Sequence, residues 1–384
     1  MIGKLCVAAC VALPALAVPA AAQTYTTFYS LPGGSGGKYP IPGVIRDNSG
    51  NFYGITSNGG NDNVGVVYEV TASGSGTVLH SFSGGADGEY PYGPLLRDKK
   101  SNLYGTTNSG GTHGNGVVYK IDSAGNETII YAFAGGTSDG CNPYQGLIMD
   151  KKHNLYGTTY GCGASGLGTV FELAPGGKET VLHSFAGGAK DGSDPSFYGH
   201  LLMDKAGDLY GVTQEGGAAN DGVLYRLNGK SKLKVLHGFA GGAADGCYST
   251  GTVATDKAGN YYGSTYGCGA RNYGIVWEVN SKGAETVLHD FAGGTADGCN
   301  TVAGVVLDWK DDIYGNTSLC GASGQGTVWE LGNTGTLTLL HSFAGGADGS
   351  VAYGELLRTA KGELYGTTLE GGTADYGTVW SYLP

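Results

Sequence analysis

The chain has 384 residues, a net charge of −11 and only 14% charged residues. A sparse, acidic charge set excludes nucleic acid as a partner, because phosphate binding needs a basic face. Glycine is abundant at 74 residues against 11 prolines, with no collagen triplet, so the glycines mark recurring turns in a folded chain.

In chain order, the first element is a leader. Lys4 gives a short basic start, Leu5 to Val18 is apolar, and Ala20-Ala21-Ala22 supplies small residues for cleavage, so residues 1–22 are expected to be a signal peptide and the mature chain to begin at Gln23. Val7-Ala8-Ala9-Cys10 is a poorer lipoprotein-type site, because almost no apolar core would precede it. No later stretch approaches 18 apolar residues, so no membrane span is expected in the mature chain. The expected location is secreted or periplasmic.

Residues 23–384 are organised by a unit best seen at Asp139–Phe185, where four strand-like runs, Gly146–Asp150, Asn154–Tyr160, Gly168–Leu173 and Glu179–Phe185, alternate with Gly-, Asp-, Asn- and Lys-rich turns. An aromatic-Gly pair marks the second run at Tyr53, Tyr104, Tyr156, Tyr210, Tyr262, Tyr314 and Tyr365, at spacings of 51, 52, 54, 52, 52 and 51 residues. The third run carries Tyr68, Tyr119, Phe171, Tyr225, Trp277, Trp329 and Trp380. Seven copies of a four-strand unit at this period predict an all-β fold, a single seven-bladed β-propeller with four antiparallel strands per blade. The fourth run ends at Phe82, Phe133, Phe185, Phe239, Phe291 and Phe343, and the seventh unit lacks it. Thr26–Leu31 matches the missing run, so the N-terminal strand should complete the last blade and close the ring.

The recurring pattern DG…P…GxLxxDxxGNLYGTT…GG…GxVYE…TVLHSF resembles the bacterial tandem repeat called GloVer, over about residues 24–384. The resemblance implies an exported bacterial protein, often with a C-terminal surface-sorting segment after the repeats. None follows here, which favours free secretion or a periplasmic location over surface anchoring. The order GxLxxD, turn, GNLYG also resembles NHL-type propeller blades, which implies that the first strand is innermost and the fourth outermost.

Six cysteines follow the leader, as Cys141 with Cys162, Cys247 with Cys268, and Cys299 with Cys320, each pair 21 residues apart at the same two unit positions. A unit has both cysteines or neither, and both positions fall on one face of a propeller, so three intra-blade disulfides are expected. Each should stabilise by about 3 kcal/mol if unstrained. No unit offers a third Cys or a nearby His, which argues against a metal centre at these cysteines.

Few residues suggest chemistry. His80, His183, His237, His289 and His341 share an outer-strand position, with Tyr29 and Tyr131 in the other two units, and copies around a perimeter cannot converge on one ion. They are expected to be hydrogen-bonded packing residues. The Asp-Gly pairs (Asp87, Asp139, Asp191, Asp245, Asp297, Asp348) and the aspartates after the first strand, such as Asp47 and Asp150, are expected to cap turns, since calcium loops need closely spaced oxygen ligands. No metal or other cofactor is expected, and the closed ring should be a monomer.

The informative positions are those where units differ. Tyr92, Tyr144, Tyr198 and Tyr353 precede the first strand at the expected channel mouth, with Tyr160, Tyr266, Tyr273 and Tyr376 on the same face. Such a rim suits stacking on sugars or peptides. Two positions later only His200 and Glu355 are titratable, three blades apart, with Asp194, Glu215 and Glu370 nearby. The opposite face collects Lys99, Lys100, Lys151, Lys152, Lys205, Lys257 and Lys361 as a solvated rim. The expected function is a secreted binding or scaffold module for glycan or extracellular protein. The alternative is a glycan hydrolase or lyase using His200 and Glu355.

Overall fold

The computed structural model describes residues 23–229 and 231–383; the expected leader lies outside them. Strands and three single-turn 3-10 segments are the regular elements among the described residues. Seven four-stranded antiparallel sheets are arranged as blades. Blade 1 comprises Ile45–Arg46, Phe52–Thr56, Val66–Val70 and Gly76–Ser81 from the axis outward. Blade 7 comprises Leu357–Arg358, Leu364–Thr368 and Thr378–Leu383, completed by Thr24–Ser30. The closing pair runs antiparallel from Thr24↔Leu383 to Ser30↔Thr378, as the missing fourth run predicts.

The inner strand is shorter than the sequence run. In blade 3 only Ile148–Met149 pairs with Leu155–Thr159, because the preceding Gly146 turns inward, and a side chain there would overlap Pro94 of blade 2. Blade 5 departs from this, with one long inner strand, Gly246–Thr255.

The aromatic-Gly landmark has a direct cause. In every blade the third-strand aromatic lies across the second-strand glycine, so a Cβ on Gly54, Gly105, Gly157, Gly211, Gly263, Gly315 or Gly366 would overlap its ring. The Phe that ends each outer strand then packs on the third-strand aromatic of the next blade. Ring centroids are 5.1 Å apart for Phe82–Tyr119, 5.3 Å for Phe185–Tyr225 and 5.9 Å for Phe343–Trp380. Leu31 takes this place where blade 7 meets blade 1, packing with Tyr68.

Polar groups repeat as regularly. Asp47 Oδ1 accepts the Ser49 and Asn51 N–H groups at 2.9 and 2.8 Å, and its other oxygen accepts from the Tyr53 hydroxyl at 3.2 Å; Asp98 and Asp150 do the same in their blades. Residues 39, 90, 142, 194, 248, 300 and 351 all have positive φ, from 55° to 63°. Each donates its N–H to a carbonyl of the preceding blade, for example Tyr90 to Val64 at 2.8 Å and Asn300 to Tyr273 at 2.8 Å. The strain recurs because it aims one inter-blade hydrogen bond per seam.

The three expected disulfides are present, with Cα–Cα distances of 5.3, 5.3 and 5.5 Å, joining the turn entering the first strand to the turn leaving the second. Three of the outer-strand histidines hydrogen-bond the next Asp-Gly aspartate, His183 Nε2 lying 3.1 Å from both Asp191 oxygens, while Asp191 also accepts the Ala186 and Gly192 N–H groups. Tyr131 donates to Asp139 in the same way at 2.9 Å.

If the Phe-on-aromatic contact holds the blades together, Phe185→Ala should lower stability by about 3–5 kcal/mol, the usual loss for a buried aromatic. Urea unfolding checks this, and a loss below about 1 kcal/mol would show that the seam does not depend on it.

Candidate functional site

The axis is where seven similar units depart from one another. Most residues just before the inner strands are too small to fill it: Gly43 lies against the Glu355 backbone, Gly93 against Gln145, and Gly251 against Gly304, each too close for a methyl group. Three polar side chains break this ring of Gly and Pro residues, His200 of blade 4, Thr252 of blade 5 and Glu355 of blade 7.

These three meet. Glu355 Oε1 accepts the Thr252 N–H at 3.1 Å and also the Thr252 hydroxyl, which itself accepts the His200 N–H at 2.9 Å. The other Glu355 oxygen lies 3.8 Å from His200 Nε2. The reach from blade 7 to blade 5 passes blade 6 at Gly304, where any Cβ would collide with the Thr252 carbonyl. His200 Nδ1 lies 3.0 Å from the Leu201 carbonyl, which can only accept, so Nδ1 carries a proton and Nε2 faces the carboxylate. His200 and Glu355, far apart in sequence, thus share one site. They sit at one end of a cavity of about 430 Å³, which continues past Ala254, Val306 and Leu356 toward Thr255, Leu307 and Arg358 on the lysine-bearing face.

On the other side of this trio lies the tyrosine face. Tyr92, Tyr144, Phe197, Tyr198 and Tyr353 form a connected aromatic chain across the mouth. Its ring-centroid distances are 5.1 Å for Tyr92–Tyr144, 4.7 Å for Tyr144–Phe197, 5.6 Å for Phe197–Tyr198 and 5.6 Å for Tyr198–Tyr353. Tyr160 joins through Tyr144 and Phe197 at 5.6 and 5.0 Å. All four predicted mouth tyrosines are therefore brought together, half-buried by one another. Burial pushes the Tyr92, Tyr198 and Tyr353 phenols up, with the neighbouring tyrosines as the next cause, so they stay neutral hydrogen-bond donors. Burial, then the Glu215 charge, also raises Asp194 at the rim. Three tyrosines of blade 5, Tyr248, Tyr266 and Tyr273, are exposed by 45%, 39% and 37%, and Tyr266 lies near Tyr198 and Tyr353.

Phe197 and Thr252 were not singled out from sequence. Phe197 had a signal: the interval from the positive-φ residue to the turn aspartate is 8 residues in blade 3 (142 to 150) but 10 in blade 4 (194 to 204). The two extra residues fall in Pro195–His200 and extend Phe197 and Tyr198 over the mouth. Tyr198 has φ 62°, off the repeated positive-φ position, which is a strained backbone for an aromatic residue. Thr252 had no such signal. The predicted lysine rim is exposed throughout. A larger groove of about 670 Å³ lies there between blades 2 and 3, near Asp98, Lys100, Lys152, His153 and Pro175.

Among solved structures, the chain is similar to the extracellular domain of a protein described as a hybrid two component system from B. thetaiotaomicron, with TM-score 0.61 and 10% identity over 93% of this chain and 39% of that one. It is also similar to a protein described as a gluconolactonase (TM-score 0.44, 15% identity, 76% of this chain and 88% of that one) and to one from Thermus thermophilus described as an oxidoreductase (glucose dehydrogenase; TM-score 0.46, 16% identity, 79% and 99%). At these identities the likeness is one of fold alone. A comparison with curated protein sequences finds no match. The Gloeobacter/Verrucomicrobia repeat matches residues 17–198 and 197–384, so the chain belongs to that repeat family.

Proposed function

We propose that this protein is an exported, disulfide-braced binding module whose tyrosine face takes carbohydrate. The observation that carries the reading is the aromatic chain from Tyr92 to Tyr353, continued by exposed Tyr248, Tyr266 and Tyr273 and edged by Asp194 and Glu215. Flat aromatic faces stack on the C–H faces of sugars, and neutral phenols and carboxylates meet the hydroxyls. An extended, open patch suits a polymer better than a small enclosed ligand. Export rests on the residue 1–22 leader and on the three disulfides, which persist in oxidising compartments. N-terminal sequencing of exported material should begin at Gln23, and an intact Met1 terminus would overturn the leader.

On a glycan array the wild-type chain should retain at least one polysaccharide class. A Tyr248→Ala/Tyr266→Ala/Tyr273→Ala variant, altered only at exposed positions, should bind at least about tenfold more weakly, a loss of about 1.4 kcal/mol. No retention by the wild type, or undiminished binding by the variant, would overturn the carbohydrate reading. Binding to an extracellular protein instead would point to the same face with a different ligand.

A second reading, a glycan hydrolase or lyase, is favoured by one observation: His200 Nε2 and Glu355 Oε2 face each other across 3.8 Å at the end of a cavity. His200 there is placed as a base and Glu355 as its acidic partner. Incubation with a panel of polysaccharides should then release shorter products, and a His200→Ala/Glu355→Ala variant should release none. Equal turnover by the variant would remove these residues from any catalytic role.

A further inference from the structure

The inter-blade histidines do not all behave alike. At three seams, His183, His289 and His341 hydrogen-bond through Nε2 to both oxygens of Asp191, Asp297 and Asp348, at 3.0–3.2 Å. At the other two, between blades 1 and 2 and between blades 4 and 5, His80 Nε2 and His237 Nε2 lack this bidentate geometry, each lying near one aspartate oxygen, at 3.2 and 3.6 Å.

The difference lies in a third side chain on the next outer strand. Counting back six residues from the strand-ending Phe or Leu, the well-bonded histidines face Leu233, Leu337 and Tyr25, the last stacked on His341 at 3.6 Å. The other two histidines instead face Glu127 and Glu285, each with a buried oxygen that has no hydrogen-bond partner, as Glu179 also has at the Tyr131 seam. His80 Nε2 lies 3.2 Å from Asp87 and 3.7 Å from Glu127, and His237 Nε2 lies 3.6 Å from Asp245 and 3.7 Å from Glu285. All three ligating atoms of each group lie within 4.8 Å of one another. A tetrahedral ion with ligand bonds of about 2.0–2.2 Å sets its ligands about 3.3–3.6 Å apart, close to these spacings.

We propose that His80, Asp87 and Glu127, and separately His237, Asp245 and Glu285, each bind a divalent transition-metal ion of the Zn2+ class at a blade seam. An imidazole nitrogen with two carboxylates suits such an ion better than Ca2+ or Mg2+, which take oxygen ligands. The expectation of no metal rests on histidine copies that cannot meet, cysteine pairs without a third ligand and Asp-Gly turns without a calcium loop. Here the ligands are unlike residues drawn from two neighbouring blades. The third carboxylate-bearing seam serves as an internal contrast, because Tyr131 supplies a proton to Asp139 beside Glu179 where the others offer an imidazole. The disulfides brace single blades, whereas each ion would join one blade to the next.

Calorimetric titration of metal-free, untagged full-length protein with Zn2+ should give two equivalents. Glu127→Gln and Glu285→Gln should each lose one, the double variant should lose both, and Glu179→Gln should keep two. Zn2+ should raise the unfolding temperature of the wild type but not of the double variant. No Zn2+ uptake by the wild type, or two equivalents retained by the double variant, would overturn the proposal. Loss confined to one single variant would keep that site and remove the other.

Discussion

The ring depends on one contact made at each seam: an aromatic side chain of the third strand, laid across a glycine of the second, receives the side chain that ends the previous blade's outer strand. The glycine lets the aromatic lie flat against its own sheet and still present a face to its neighbour. An aromatic side chain buries about 150–250 Å², worth about 4–6 kcal/mol gross at 25 cal/mol/Å². A small sheet has too little core of its own, so the blades are stable as a closed set. Ring closure by Thr24–Ser30 follows from the same need, since Leu31 must cover Tyr68 as the phenylalanines cover the other six.

The architecture was legible because each of its causes is local and repeats. The glycine under each ring, the Asp that caps its turn and the Phe that ends its strand are fixed by neighbours at constant spacing, so seven copies print the same pattern. The disulfides were legible for the same reason, since Cys141 and Cys162 sit at equivalent places in a register that the repeat defines. The inner strand was overestimated, because hydropathy does not show where Gly146 turns the chain into the axis.

The site was less legible, and the reason is geometric. Residues at the axis come from blades far apart in sequence, and their approach depends on what intervening blades leave empty. His200 and Glu355 could be named as exceptions, but their meeting requires Gly304 between them and Thr252 as anchor, and nothing local in sequence marks either role. Phe197 was recoverable in principle, since it lies in the two-residue excess of blade 4. The pairing of Glu127 with His80 was hidden differently: each is one copy of a position that looks ordinary until the copies are compared across a seam rather than along the chain.

Symmetry explains where function can lie in this molecule. Seven equal blades would place equal side chains around the axis, where like groups crowd or leave an empty ring, and neither arrangement makes an asymmetric site. Departure from the repeat is therefore a physical requirement for specific recognition. The departures here are not scattered. The extra residues of blade 4 carry Phe197 and Tyr198 over the mouth, and Tyr198 keeps a strained φ of 62° between two carbonyls, Phe197 and Gly199, that accept from Gly251 of blade 5 and Gly146 of blade 3. Two residues on, His200 turns to the other side of the same barrier and faces Glu355. The two-residue excess of blade 4 thus lies beside both surfaces at the axis, the aromatic face and the end of the cavity. Tyr198 and His200 are two residues apart, so the aromatic face and the end of the cavity are both built from one short stretch of blade 4.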